Sequence, residues 1–303
     1  RVGNYMISRI ARFVGASPYL LLAIAPLCWA GNHIVGRLIA EDVAPGSLSL
    51  LRWVVSAAVV LPFAFGHLRR DATKLAAAPW TVTLLAIAGG GVFGTLQFVA
   101  LKYTIALNAA VFNATVPAFI IAAGAMIFRD RVRLVQVLGI VISLCGVLAI
   151  VGKGDPQVFE HLQFNVGDII IVANMALFAV YSACLRLRPG VHWMTFLIAM
   201  SVVSALTNVP LTVVEAMTGE PLKLDLMTLL AVGYAGIITS ALAYATWARG
   251  IELIGAARAG AFLYLVPVYG ALLSTLLLGE EIRGYHLVGL GLILTGVMLA
   301  SRK

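Results

Sequence analysis

The chain alternates between long apolar segments and short polar breaks. Ten apolar segments are long enough to cross a bilayer, since a transmembrane helix needs about 20 predominantly apolar residues. The breaks are short and mostly charged, as at Glu41-Asp42 and Gly279-Glu280-Glu281. The pattern predicts ten membrane-spanning helices, at 18–40, 46–66, 79–102, 105–128, 133–151, 167–187, 191–215, 226–249, 256–278 and 284–301.

The composition of the 303 residues lies outside the range of soluble proteins. Hydrophobic residues make up 61% and charged residues 11%, and the mean hydropathy is +1.00. A soluble domain carries roughly 45–50% apolar and about 25% charged residues. This excludes a soluble enzyme, a nucleic-acid-binding module and a secreted disulfide scaffold. We expect an all-α integral membrane protein that contacts the lipid bilayer and has no nucleic-acid partner.

Lysine and arginine are distributed unevenly between the two sides of the predicted bundle. With the N-terminus in the cytoplasm, 15 basic residues face the cytoplasm, and only Lys102, Lys153, Lys223 and Arg283 face outward. Cytoplasmic loops of membrane proteins carry such an excess. We therefore predict that both termini are cytoplasmic, and this bias also accounts for the net charge of +8. The two sides are called the inner and outer sides below.

A shift of 150 residues aligns the two halves of the chain. The aligned pairs are Phe112 with Phe262, Pro117 with Pro267, Gly139 with Gly289 and Gly146 with Gly296. Each half holds five spans, and two copies of an odd number of spans must cross the membrane in opposite senses. We predict two inverted five-helix repeats, at 1–153 and 165–303. Such repeats place a binding site between the halves and permit alternating access.

Several motifs occur in a fixed order along the chain. They are Trp29-Ala30-Gly31-Asn32 with Arg37 in the first span, Leu51-Arg52-Trp53 in the second, and the proline-centred fourth and ninth spans. On these motifs the chain resembles the drug/metabolite transporter superfamily with two EamA-type repeats, and it is most similar to bacterial aromatic amino acid exporters. The resemblance implies a multi-pass transporter of the bacterial inner membrane.

The resemblance also implies a substrate class. It implies export of small amphipathic metabolites, above all aromatic and other neutral amino acids, by facilitated diffusion or exchange. The alternative is a carrier of sugars, nucleotide sugars or broad drug-like solutes in the same superfamily. Glycine pairs in the fifth and tenth spans suit close helix packing, within the chain or in a homodimer, and a monomer is equally compatible with the sequence.

Candidate substrate-binding residues are the polar and aromatic side chains that fall deep inside the predicted spans. Polar groups at such depth cost energy in lipid and normally face a protein interior. An aromatic-lined pocket with a few amides and hydroxyls suits a neutral or zwitterionic solute that carries a ring. The predicted set is Trp29, Asn32, His33, Gln97, Asn113, Tyr181, Ser240, Tyr244, Trp247 and Tyr264.

Four further residues are candidates for bending or gating. Pro117 and Pro267 lie near the middle of their spans, and each lacks an N–H group, so we expect both helices to bend around a cavity. Arg37 stands four residues before Glu41, which favours a local ion pair. Arg52 lies toward the outer end of its span, where it could reach Glu41 or Asp42. We interpret both arginines as structural or gate-closing ties, and direct contact with a substrate carboxylate is the alternative.

Other functional classes find little support in the residues. Gly152-Lys153-Gly154-Asp155 matches the GxGD string of intramembrane aspartyl proteases, but no second aspartate falls at a span centre. The sequence contains no zinc, nucleophile-elbow or ATP-binding motif, so neither an enzyme nor a metal or cofactor is predicted. No carboxylate falls at a span centre either, which favours uncoupled transport over ion coupling. A non-transporting membrane partner or sensor remains a hypothesis from another class.

Overall fold

The computed structural model describes residues 17–155, 165–254 and 260–300. They form ten helices: α1 Pro18–Leu38, α2 Pro45–Ala77, α3 Pro79–Leu101, α4 Ala106–Phe128, α5 Leu134–Val151, α6 Val166–Leu187, α7 Trp193–Thr218, α8 226–254, α9 260–278 and α10 Gly284–Ala300. Helices α1 to α8 are long and apolar enough to cross a membrane, and α9 and α10 contain shorter apolar helices. The prediction of a ten-helix, all-α membrane protein is confirmed. The predicted start of the ninth span, at 256–259, lies outside the described residues.

The second helix is longer than the sequence predicted. We expected it to end at residue 66, before Arg69-Arg70-Asp71, but α2 continues to Ala77. Asp71 lies in this extension, and its carboxylate accepts a hydrogen bond of 2.8 Å from the backbone amide of His192, at the start of α7. The predicted boundary was wrong because charged residues mark where a helix leaves the membrane, whereas its end depends on capping.

Helices α2 and α7 cap each other. Near the C-terminus of α7, the carboxylate of Glu215 accepts hydrogen bonds from the backbone amides of Gly46 (2.7 Å) and Ser47 (2.8 Å), at the start of α2. The residue before α2, Ala44, has no side chain that could cap it. Since the first turn of a helix leaves its amides unpaired, the two repeats each supply a carboxylate that the other needs.

The largest apolar core joins the two repeats. Phe112 of α4, Ile171 of α6 and Ile293 of α10 are fully buried members of one cluster. Because that cluster draws on helices from both halves, neither half holds this core by itself.

Helices α5 and α10 pack closely through their glycines. A Cβ atom added to Gly146 would lie 2.6 Å from the carbonyl oxygen of Gly289, and one added to Gly289 would lie 2.9 Å from that of Gly146. The seven-residue glycine spacing thus lets two backbones touch. Because these glycine faces are used inside the chain, they are not available to a second copy.

Two helices contain π-helical segments at equivalent positions of the repeats. The segment Ile87–Val92 lies in α3, and the segment Tyr234–Leu242 lies in α8. A shift of 150 residues places the first inside the second. π-Helical turns inside α-helices occur frequently at functional sites, because they redirect the side chains that follow.

Helices α4 and α9 are interrupted just before their prolines. A 3₁₀ segment at Asn113–Thr115 precedes Pro117, and another at Gly260–Tyr264 precedes Pro267. Proline removes an intrahelical hydrogen bond and crowds the preceding turn, which accounts for the tighter winding there. The irregular backbone of α3, α4, α8 and α9 thus recurs in both halves.

Candidate substrate-binding site

Three of the predicted aromatic residues form one cluster between α1 and α8. The ring centroids of Trp29 and Trp247 lie 5.4 Å apart, and those of Trp29 and Tyr244 lie 6.0 Å apart in an edge-on arrangement. The helices approach closely here because Gly31 leaves room for Tyr234, whose hydroxyl donates to the carbonyl of Cys28 (3.2 Å). The aromatic cluster, defined as Trp29, Tyr244 and Trp247, therefore joins the two repeats.

His33 and Asn113 lie together between α1 and α4. The Nδ2 atom of Asn113 is 3.3 Å from Nε2 of His33, and it also donates to the carbonyl of Ala109 (2.9 Å). The Oδ1 atom of the adjacent Asn32 is buried and has no hydrogen-bond partner among the described residues. Buried polar atoms are normally paired, so this oxygen is available to a solute or to water.

Gln97 pairs with a residue that is outside the predicted set. Asn174 of α6 donates to the carbonyl of Phe93 (3.0 Å) and to Oε1 of Gln97 (3.3 Å). The Nε2 atom of Gln97 and the Oδ1 atom of Asn174 are buried and have no partner within the described part of the chain. One donor and one acceptor are thus left open on a pair that links α3 to α6. The depth of Asn174 in its span is the signal that could have added it to the set.

Arg52 is buried between the repeats. Its Nε atom donates to the hydroxyl of Ser240 (2.7 Å), in the π-helical segment of α8. No carboxylate among the described residues forms an ion pair with it, and Asp42, a predicted partner, pairs with Lys223. The predicted tie to Glu41 or Asp42 is therefore wrong: the helix places Arg52 about 10 Å along its axis from the start of α2, facing inward.

Arg37 also has partners that differ from the prediction. Its Nη1 atom donates to the carbonyls of Leu101 (2.8 Å) and Lys102 (3.3 Å) at the C-terminal end of α3. No ion pair with Glu41 is present among the described residues, so that prediction was wrong. The carbonyls at a helix C-terminus are unpaired and carry partial negative charge, which makes them good acceptors for a guanidinium. Arg37 therefore connects α1 to α3.

The remaining predicted residues, Tyr181 and Tyr264, pack in apolar cores, and Tyr244 of the aromatic cluster packs against the same core as Tyr181. Tyr181 packs in the apolar core between α6 and α7, where its hydroxyl lies 3.8 Å from the sulfur of Met200. Tyr264 is half-buried and packs against the core cluster that contains Phe112.

Asp168 is buried and belongs to a polar network at the outer ends of three helices. Its Oδ1 accepts hydrogen bonds from Thr104 and from Nδ2 of Asn108 (3.0 Å). The Oδ1 of Asn108 lies 2.9 Å from Nε2 of His286, whose Nδ1 accepts from the backbone amide of Arg283 (3.0 Å). The Nδ1 contact assigns the proton to Nε2, so His286 donates to Asn108. The network joins α4, α6 and α10.

Several contacts join the outer ends of the two repeats. Lys102 pairs with Glu220 at 3.2 Å, and Lys223 pairs with Asp42. A backbone bridge connects Val43 to Leu222, on the loops that follow α1 and α7. At the inner side, Asp130 after α4 pairs with Arg186 at the end of α6 at 2.7 Å. The described contacts thus join the two repeats at both sides of the bundle.

An apolar groove of about 310 Å³ lies apart from this site, between α2, α7 and α8. No predicted binding residue lines it, and its walls are apolar. Its lining includes Val59, Phe63, Trp193, Leu197, Ile237 and Ala245.

The comparisons with known proteins identify the class to which this chain belongs. The EamA-like transporter family model matches residues 16–152 and 165–302, so the chain belongs to that family, within the drug/metabolite transporter superfamily. A crystal structure aligns with a TM-score of 0.64 at 22% identity, over 94% of this chain and 97% of that one, which shows the shared fold.

Relatives of the chain are named as transporters. An uncharacterised transporter, YyaM, of Bacillus subtilis is 30% identical over 85% of each chain. An uncharacterised transporter of Archaeoglobus fulgidus is 25% identical over 96% of this chain and 99% of its own. The uncharacterised inner membrane transporter YedA of Escherichia coli is 25% identical over 91% of this chain and 87% of its own. The protein is therefore a multi-pass membrane transporter and not an enzyme.

Proposed function

We propose that this transporter exports aromatic and other neutral amino acids across a bacterial inner membrane by alternating access. The observation that carries the proposal is the aromatic cluster, set between the repeats and accompanied by unpaired amide groups. Aromatic rings recognise a ring-bearing solute, and buried amides recognise its polar groups. The open atoms of Asn32, Gln97 and Asn174 supply one donor and two acceptors for that purpose.

The irregular helices support alternating access. Residues of the site lie next to the π-helical segments of α3 and α8 and to the 3₁₀ segment of α4. Transporters built from inverted repeats form their sites on interrupted helices, and the halves rock around such a site. We propose that Pro117 and Pro267 provide equivalent bending points in the two halves.

We propose movement without ion coupling. Proton-coupled carriers use a carboxylate that the solute or a proton can reach. Asp168 and Glu215 are buried, but Oδ1 of Asp168 is bonded to Thr104 and Asn108, its Oδ2 has no partner among the described residues, and Glu215 caps α2. Both groups therefore serve structural contacts at the outer ends of their helices, which favours uniport or exchange.

Counterflow in liposomes that contain only this protein tests the proposal. We expect preloaded, unlabelled phenylalanine or tryptophan to drive uptake of the labelled solute without a pH gradient. Tyr244→Ala and Gln97→Leu should each reduce uptake at least several-fold, since one loses a ring and the other an amide. Tyr103→Ala is the matched control, because Tyr103 is exposed at the outer end of α3 and should leave uptake unchanged.

Two results would overturn parts of the proposal. Absence of counterflow for every amino acid would remove the substrate class and leave the fold and family unchanged. A strict requirement for a pH gradient would contradict uncoupled transport and would direct attention to His33. For a nucleotide sugar, several buried cations would be expected; among the described lysines and arginines, Arg52 alone is buried.

A further inference from the structure

Arg52 is a buried cation that forms no ion pair with any carboxylate of the described residues. Arg52 is 4% exposed, and it is the one buried lysine or arginine in the described part of the chain. The guanidinium carries five N–H donors, of which only Nε is used, in the hydrogen bond to Ser240. Within the described residues, Nη1 and Nη2 donate to no protein acceptor. Removing a charge from water without pairing it is costly, so this guanidinium needs a partner.

The surroundings of Arg52 hold it in place without neutralising it. Its Cζ atom lies 4.9 Å from the ring centroid of Trp53 and 5.9 Å from that of Phe98. Ring faces attract a guanidinium but leave its N–H groups free, because they bind the face of the cation and not its edge. The N–H groups on Nη1 and Nη2, the fork of Arg52, therefore stay available to a planar acceptor.

The two irregular helices shape the space around the fork. Ser240 donates its own hydrogen to the carbonyl of Ala235 (2.8 Å), so its oxygen is turned to accept from Arg52. Gly94, which follows the π-helical segment of α3, has no side chain, and a Cβ atom there would lie 3.5 Å from Nη1. Arg52 thus lies where α2 and α3 of one repeat meet α8 of the other.

The aromatic cluster is adjacent to this position. Tyr244 follows Ser240, the hydrogen-bond partner of Arg52, by one helical turn along α8. Tyr244 also contacts Trp29 across the repeat interface. If one end of a solute bound Arg52, its other end would therefore contact the rings of the aromatic cluster.

We infer that Arg52 binds the carboxylate of the transported solute. The inference rests on the proposed function and narrows its substrate class to aromatic compounds with one carboxylate, which the fork binds through two parallel hydrogen bonds. A single buried cation matches a single negative charge. The α-amino group is not recognised by Arg52, so aromatic carboxylic acids without an amino group fit this subsite equally well.

The test compares a carboxylate with its amide. Counterflow is measured for labelled phenylalanine and labelled phenylalaninamide in the wild type, Arg52→Gln, Arg52→Lys and Arg188→Gln. Arg188 is the matched control, because it is an exposed cation that contacts a ring, at 5.3 Å from Phe196. Folding of each variant is checked by gel filtration and by its thermal unfolding midpoint.

We expect the wild type and Arg188→Gln to prefer phenylalanine over its amide. Arg52→Gln should reduce phenylalanine counterflow roughly tenfold to a hundredfold, as for loss of hydrogen bonds to a charged group, and should remove the preference. Arg52→Lys should retain part of the preference, since it keeps the charge but not the fork. Equal transport of both solutes by the wild type, or an equal loss of both in Arg52→Gln, would overturn the inference.

A binding measurement separates this inference from the proposed function. If the wild type moves neither solute, the amino acid proposal fails. The carboxylate subsite is then tested by comparing how far benzoate, phenylpyruvate and benzamide each raise the thermal unfolding midpoint. Stabilisation by the carboxylates alone, lost in Arg52→Gln and kept in Arg188→Gln, supports the carboxylate subsite. Absence of any difference between the carboxylates and the amide overturns it. Because the wild type shows this pattern by itself, the test holds even if Arg52→Gln fails to fold.

Discussion

The carboxylate of Glu280, which follows α9, accepts a hydrogen bond of 2.9 Å from the backbone amide of Ala106, at the start of α4. A second bond of 2.8 Å comes from the amide of Leu107. Ile105 precedes α4 and offers no capping side chain, so a residue of the second repeat caps a helix of the first. The contacts that join the repeats at the outer side thus include a helix cap.

Replacing Glu280 should therefore destabilise the protein. Glu280→Ala leaves two amides at the start of α4 without a partner, and loss of a helix cap costs about 1 kcal/mol, or up to about 2 kcal/mol. The thermal unfolding midpoint in detergent measures the effect. The control is Glu281→Ala, since Glu281 is exposed and forms an ion pair with the exposed Arg283, at 3.6 Å. Equal midpoints for the two variants would contradict the capping role.

A methyl group at Gly146 should disturb the contact between α5 and α10. The added Cβ of Gly146→Ala would lie 2.6 Å from a backbone oxygen of Gly289, so the helices must move apart. We expect a loss of about 1–3 kcal/mol, as for overpacked interiors. Gly291→Ala on α10 is the control, because no atom lies within 4 Å of its added Cβ. A midpoint of Gly146→Ala at or above that of Gly291→Ala would contradict the close contact.

Trp29→Leu should weaken binding of ring-bearing solutes specifically. Trp29 contacts both other rings of the aromatic cluster, and aromatic pairs contribute about 0.5–1.5 kcal/mol beyond their buried area. We expect the KM for tryptophan counterflow to rise roughly twofold to tenfold. Trp80→Leu is the control, since Trp80 is 78% exposed at the start of α3. A similar rise in KM in both variants would indicate a general effect on folding or insertion.

The ion pair between Asp130 and Arg186 should contribute a pH-dependent stability. The hydrogen bond from Arg186 holds the pKa of Asp130 below its ordinary value. A carboxyl whose pKa is lower in the folded state stabilises the fold above its unfolded pKa, and this contribution is lost as the pH falls through the folded value. The midpoints of wild type and Asp130→Asn should therefore differ at neutral pH and converge below about pH 4.

Salt provides the control for this pair. Both side chains are about half exposed, so their attraction is screened and the difference at neutral pH should shrink in high salt. A difference between wild type and Asp130→Asn that persists unchanged at low pH would assign the effect to packing and not to charge.

The helices could be predicted from sequence because the thickness of the bilayer fixes the length of an apolar segment. The repeat could be predicted because the two halves share their prolines and glycines at a constant spacing. α2 shows the limit of this reasoning. Its length depends on reaching the first amides of α7, and no feature of residues 46–77 specifies that distant partner.

For the candidate site, the sequence indicated which polar and aromatic residues lie deep in the spans but only partly which residues they contact. The depth of Trp29, Gln97 and Tyr244 follows from their positions in apolar segments. Arg37 and Arg52 were assigned to nearby acids because sequence distance was the only guide, whereas tertiary packing gives them α3 and α8 as partners. The π-helical segments, which no residue pattern marks, turn Ser240 toward Arg52.

The glycine contact between α5 and α10 has a consequence for the ancestry of the chain. Each of these helices has the other as its main packing partner, in the other half and in the opposite orientation. A protein with one repeat could form the same contact only by pairing with a copy inserted upside down. Duplication and fusion of such a gene would fix both the stoichiometry and the relative orientation in one polypeptide. Each half could then acquire its own distribution of basic residues, because a single sequence no longer had to insert both ways.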